Sequence, residues 1–151
     1  MSDLPEAIEL VWRVFHEFEA PDFSEEGVNE FKGGLELSTM QDKLINCAWI
    51  MWGCFKEDRL AGMIAMRQPF HISLLFVDKE FHRQGIARAL MNSAVKEYVD
   101  EGFVQAEAAN TVTVNSSPYA VEIYKRLGFE PTDTEQLIKG IRFTPMAKKP
   151  A

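Results

Sequence analysis

Ile72-Ser73-Leu74-Leu75-Phe76-Val77, a polar turn, and then Arg83-Gln84-Gly85-Ile86-Ala87-Arg88 form the stretch whose reading decides the fold. The first six residues are a short apolar run bounded by Asp78, Lys79 and Glu80, as expected of a buried strand. The residues after Gly85 open a regular amphipathic helix, with Ala87, Leu90, Met91, Ala94, Val95 and Tyr98 falling on one face. A helix that begins just beyond a strand end offers unpaired backbone N–H groups at the positive end of its dipole, which suits a phosphate or pyrophosphate. Gly85 lets the backbone approach such a ligand, and Lys79, His82, Arg83 and Arg88 gather basic charge around it. The spacing fits neither the three-glycine dinucleotide fingerprint nor the phosphate loop that ends in Gly-Lys-Ser/Thr.

Upstream, Leu4, Ile8, Val11, Trp12 and Phe15 recur at helical spacing behind Ser2 and Asp3, and Pro21 ends that helix. Ser24 caps a second helix carrying Val28 and Phe31, closed by Gly33-Gly34, while Leu35 to Asn46 admits a third helical face. Ala48 to Phe55 and Leu60 to Met66 read as two strands joined by the charged turn Lys56-Glu57-Asp58-Arg59, a hairpin. Downstream, Gly102 marks the end of the long helix, and Phe103 to Ala109 carries no clear pattern. Thr111 to Val114 alternates and is β-branched, a strand. Ser117-Pro118 starts a helix with Ala120, Ile123, Tyr124 and Leu127 on its buried face, and Gly128 stops it. Phe129 to Thr132 and Ile141 to Met146 read as closing strands. The order implies an α/β sandwich: one domain over residues 1–151, with a mixed central sheet flanked by helices on both faces.

Composition sets outer limits. The chain has 151 residues, long enough for a single core without disulfides or a structural metal. Its longest apolar stretch is far short of the ~20 residues of a spanning helix, and Met1 to Glu6 lacks the features of a signal peptide, so the cytoplasm is the expected location. A net charge of −7 argues against a nucleic-acid partner and suits a cationic acceptor. Cys47 and Cys54 have neither redox-motif spacing nor histidine companions, and read as reduced buried thiols with no metal role.

Two motifs then give the sequence a family resemblance. His82-Arg83-Gln84-Gly85-Ile86-Ala87 resembles the Gln/Arg-x-x-Gly-x-Gly/Ala signature of the GNAT superfamily of acyl-CoA N-acyltransferases, with His82 at the usual Gln/Arg position. About forty residues on, Ala120-Val121-Glu122-Ile123-Tyr124-Lys125-Arg126-Leu127-Gly128-Phe129 is similar to that family's Ala-x-x-x-Tyr-x-x-Leu-Gly-Phe junction. The family's usual strand ahead of the first helix has no counterpart, which leaves the strand starting at Ala48 as an edge that invites a second subunit, a homodimer.

The resemblance implies acetyl-CoA as co-substrate. Its pantetheine arm would lie on the backbone of Leu75, Phe76 and Val77, and its pyrophosphate on Arg83, Gln84, Gly85, Ile86, Ala87 and Arg88. Ser117 stands where many members carry a CoA-contacting Asn. Tyr124 matches the tyrosine that protonates the departing thiolate. His71 resembles one of a pair of catalytic histidines and is the expected base, its partner position being Ser73. Glu17, Glu19, Asp22 and Glu107 could attract an amine but read as solvated surface, and Arg67 is a candidate partner for an acceptor carboxylate. The implied reaction is direct transfer of an acetyl group to a primary amine of a small molecule, with no metal. The alternatives are a peptide or protein acceptor, or a CoA-binding regulatory module without turnover.

Overall fold

The computed structural model describes residues 3–46, 49–103 and 111–148. Ser2, Cys47, Ala48 and Glu107, and most of the unassigned run from Phe103 to Ala109, lie outside these.

Three helices come first: α1 (Leu4–Val14), α2 (Glu25–Gly34) and α3 (Leu37–Asn46). Pro5 lies in the first turn of α1, where a missing N–H costs nothing. Instead of ending cleanly before Pro21, α1 widens into a π turn over Phe15–Glu19 and then tightens into a 3-10 turn over Ala20–Asp22. The Ser24 hydroxyl accepts from the Gly27 N–H at 3.2 Å and caps α2 as expected. The segment from Leu35, open in the sequence, resolves as α3.

A hairpin follows, β1 (Ile50–Lys56) and β2 (Arg59–Arg67), closed by Glu57-Asp58 with both residues at positive φ. That conformation suits a two-residue turn between right-twisted strands. Then come β3 (His71–Val77), a 3-10 turn at Lys79–Phe81, α4 (Ile86–Asp100), β4 (Val112–Ser116), α5 (Val121–Arg126), β5 (Glu130–Pro131), β6 (Gln136–Ile138) and β7 (Ile141–Lys148). The strand β6 has no counterpart in the sequence reading, since three residues are too few to display a period.

The sheet order is β1-β2-β3-β4-β7-β5, with β6 pairing β7 from outside that path. Among the described residues no strand precedes α1, and β1 is the edge. The one parallel pair is β3 with β4, which requires a crossover, and α4 supplies it. Leu10, Val11 and Phe15 of the first helical segment pack with Met40, Met63, Leu74 and Phe76 on one face of the sheet. On the other face Leu90, Met91 and Tyr98 of α4 and Tyr124 of α5 pack with Ile64, Met66 and Ile72. Each such side chain, fully withdrawn from water, contributes roughly 1.5–3 kcal/mol to the driving force.

One irregularity positions everything that follows. Ala65 pairs with Leu74 and Met66 with Ile72, so Ser73 is an extra, unpaired residue in β3. A bulge inverts the parity of the strand beyond it. Accordingly Ile72 faces α4, whereas Leu74 and Phe76 face α1 and α3. The pairing of β3 with β4 also stops there, at Ile72↔Val114. Beyond Ser73 the two strands part.

Candidate active site

Two adjoining recesses open beside the end of β3, the inner one reaching β4. The outer one is a groove of about 660 Å³ that runs from the end of β3 to the start of α4. Leu75, Phe76 and Val77 line it, as do Arg83, Gly85, Ile86, Ala87 and Arg88. Gly85 is the N-cap of α4 at φ 78, and a Cβ there would meet no atom of the chain within 4 Å. Its side therefore faces space that a ligand can take, above the N–H groups of the first turn of α4. The residues present thus fit a pyrophosphate.

The turn is held rigidly. Asp78 is buried and accepts from Arg13 at 2.8 Å, from Arg59 at 3.2 Å and from the Glu80 N–H at 3.0 Å. Burial alone would raise its pKa, but the Glu80 N–H and the two guanidinium groups outweigh burial and hold it below the usual carboxylate value. The His82 ring lies 2.8 Å from the Val77 carbonyl, tying the turn back to the strand end. Arg88 donates to the Arg126 carbonyl at 2.7 Å, linking α4 to the end of α5. Gln84 is exposed, reaches only the Glu80 carbonyl at 3.5 Å and does not line the groove.

The inner recess encloses about 100 Å³. Its apolar wall is formed by Phe15, Phe23, Phe31 and Phe143, and its polar wall by Ser73, Asn115 and Ser117. Beyond the lining of the recess, the β6–β7 turn packs directly on α2, where a Cβ on either Gly27 or Gly140 would overlap the backbone of the other. Arg142 of β7 adds a bond from Nη1 to the Asp22 carbonyl at 3.1 Å.

Groove and recess share Glu19, Leu75, Phe76, Ala120 and Tyr124, of which Glu19 and Tyr124 carry titratable side chains. The residue Glu19 is only partly covered overall, but its carboxyl end is withdrawn from water. Burial pushes this carboxyl up to about 7, against a hydrogen bond from Ser117 that lowers it. The Ser117 oxygen also accepts from the Ala120 N–H at 3.3 Å, so the hydroxyl proton is available to Glu19. The phenol of Tyr124 is buried, and burial first and the charge of Glu19 second push it well above its ordinary value. It therefore stays protonated through the neutral range. An acid that holds its proton and a carboxyl that titrates near neutrality stand together where the two recesses meet.

Glu19, expected as solvated surface, lies in the π turn at the end of the first helical segment. The π turn carries the helix through to it and turns it inward, a geometry that 3.6-residue periodicity does not signal. The four phenylalanines around the recess were its only trace in the sequence. Ser117, expected beside the donor, opens onto the inner recess instead.

The structure places His71 elsewhere. It lines neither recess, its Nδ1 lies 2.8 Å from the Thr113 hydroxyl, and burial followed by the charge of Arg67 pushes it down to about 4. The bulge separates it from Ser73, which does line the recess and whose buried hydroxyl has no partner. Arg67 likewise lines neither recess. Cys54 is a partly buried free thiol. Among the described residues no cluster of side chains could hold a metal ion, and no helix is long and apolar enough to cross a membrane.

Comparison with known proteins agrees with this architecture. Residues 19–150 match the family described as "Acetyltransferase (GNAT) domain". The chain therefore belongs to the GNAT acetyltransferase family. It is 30% identical over 99 residues to human N-acetyltransferase 8, an alignment that spans 58% of this chain but only 40% of that relative. Among solved structures, a GCN5-related N-acetyltransferase from Rhodopseudomonas palustris superposes with a TM-score of 0.79 at 18% identity, covering 98% of this chain and 90% of the other. The PaiA N-acetyltransferase of Thermoplasma acidophilum, in complex with coenzyme A, gives 0.77 at 19% identity over 98% and 93%. At these identities the two structures speak for the fold.

Proposed function

We propose that this protein transfers the acetyl group of acetyl-CoA directly to a primary amine of a small molecule, with Glu19 as base and Tyr124 as acid. The observation that carries the reading is the junction of the two recesses at those two residues. The outer groove suits the donor, with the pyrophosphate at Arg83 and the first turn of α4 and the pantetheine arm along Leu75 to Val77. The coenzyme A bound to the PaiA relative supports this choice of donor.

In the reaction the amine nitrogen forms a bond to the thioester carbonyl carbon as the carbon–sulfur bond breaks. The amine must lose a proton and the departing sulfur must gain one. Glu19, near neutrality in its titration, takes the first, with Ser117 orienting its carboxyl. Tyr124, protonated, gives the second. No covalent acyl-enzyme is required, and His71 takes no part.

The small volume of the inner recess, about 100 Å³, favours a small acceptor over a peptide chain. The pairing of Glu19 with Tyr124 favours turnover over a purely regulatory CoA-binding role. Thiol release from acetyl-CoA across a panel of amines and peptides tests the reading, with Tyr124→Phe as control. The variant should fold and bind CoA while kcat falls by about 10²-fold or more. Full turnover in Tyr124→Phe would remove the phenol from the reaction.

A further inference from the structure

We propose that the acceptor is a compact hydrophobic primary amine without a carboxylate, its nitrogen at Glu19 and its apolar body among Phe15, Phe23, Phe31 and Phe143. The inference rests on the transfer reading above and narrows it to a substrate class.

Space is the first argument. The recess, a half-open hollow of about 100 Å³, is smaller than the ~150 Å³ closed cavity that holds a benzene molecule. It takes a branched alkyl group or most of one ring. The wall is stiff, because Phe31 stacks on the fully buried Phe15 with centroids 3.9 Å apart and planes 10° apart.

Charge is the second. Among the described residues lining the recess, Glu19 is the one acid and Arg142 the one base. All three guanidinium nitrogens of Arg142 are engaged: Nε and Nη2 with the two Glu135 oxygens, each at 3.2 Å, and Nη1 with the Asp22 carbonyl. Arg142 is already paired with Glu135 and three of its five N–H donors are used, so an acceptor carboxylate would have to compete with Glu135 for it while facing Glu19. Ser73, Asn115 and Ser117 can serve one neutral polar group, and the unpartnered Ser73 hydroxyl is a ready site for it.

The test compares matched amines by thiol release from acetyl-CoA: 3-methylbutylamine against leucine and leucinamide, and 2-phenylethylamine against phenylalanine, with spermidine and a short unblocked peptide alongside. We expect the two simple amines to exceed their carboxylated partners in kcat/KM by about tenfold or more, with leucinamide closer to the amine, as a charge penalty requires. Glu135→Ala releases Arg142 from outside the recess. It should raise kcat/KM for leucine and phenylalanine by about threefold or more, within the range of one exposed ion pair, and leave the KM for acetyl-CoA unchanged. Leucine, phenylalanine, spermidine or the peptide matching the simple amines would overturn this inference and leave the transferase reading standing. CoA binding by calorimetry without thiol release from any acceptor would overturn both.

Discussion

Replacing Glu19 with Gln should raise stability and abolish most activity, each with its own pH dependence. The carboxyl ordinarily titrates near 4.5 and is pushed by burial to about 7 in the folded chain. The folded state therefore holds this proton more tightly than the unfolded state does. Below pH 4.5 the group is neutral in both states and costs nothing. As the pH climbs towards 7 the unfolded chain ionises freely while the folded chain resists, so stability is lost across that window. A shift of this size corresponds to roughly 3 kcal/mol above pH 7, an upper figure because part of the residue reaches solvent. Glutamine keeps the shape and cannot ionise. Urea denaturation of both proteins at pH 4.5, 6, 7 and 8.5 should give equal stabilities at the lowest pH and a growing advantage for Glu19→Gln, about 1–3 kcal/mol at the highest. Over the same range kcat should fall by about 10²–10⁴ with little change in the KM for acetyl-CoA, and the acidic limb near pH 7 should disappear. A limb set by the acceptor amine itself would persist in both proteins. A stability difference that stays constant from pH 4.5 to 8.5 would refute the argument, because it would mean that the Glu19 carboxyl does not meet a desolvated environment.

Two further substitutions probe the turn that holds the donor. Gly85→Val forces a β-branched residue into the left-handed region, costing about 1–2 kcal/mol or more, and fills the space beside the first turn of α4. CoA binding by calorimetry should weaken by about tenfold or more, one misplaced contact in the groove, and an unchanged Kd would show that the ligand does not approach Gly85. Asp78→Asn removes the charge that Arg13 and Arg59 share, at an expected cost of about 1–3 kcal/mol at pH 7. Because the pKa of Asp78 is held down, its contribution is present above the ordinary value of 3.8 and is lost as the pH falls through the folded value. Denaturation at pH 7 and below pH 3 should show the difference between the two proteins narrowing.

What the sequence made legible is what regular periods encode. The β1–β2 hairpin, the strand–turn–helix from His71 to Asp100 and the α5 junction ending at Gly128 all have either a short apolar run or a helical stripe flanked by turn residues. They fix the groove, since its walls are the end of β3, the start of α4 and one face of α5. Residues Leu75 to Val77, Arg83 and Gly85 to Arg88, which the family resemblance pointed to, line that groove. Gln84 could not be separated from them, because within a turn nothing in the sequence says which side chain points outward.

The inner recess was hidden for a related reason: both features that build it are interruptions of a period. The bulge at Ser73 adds one residue to β3, which inverts the strand, ends its pairing with β4 and moves His71 and Ser73 into different surroundings. The π turn at Phe15–Glu19 adds to α1, which rotates Glu19 into the gap the bulge has opened. Pattern reading assumes that the period continues, so it gives no sign that Ser73 and Glu19 line one recess while His71 stands outside it. Local rules are broken where a protein requires a geometry that regular elements do not supply. Here a strand that leaves its neighbour opens a recess, and a widened helical turn brings the Glu19 carboxylate to the boundary between recess and groove.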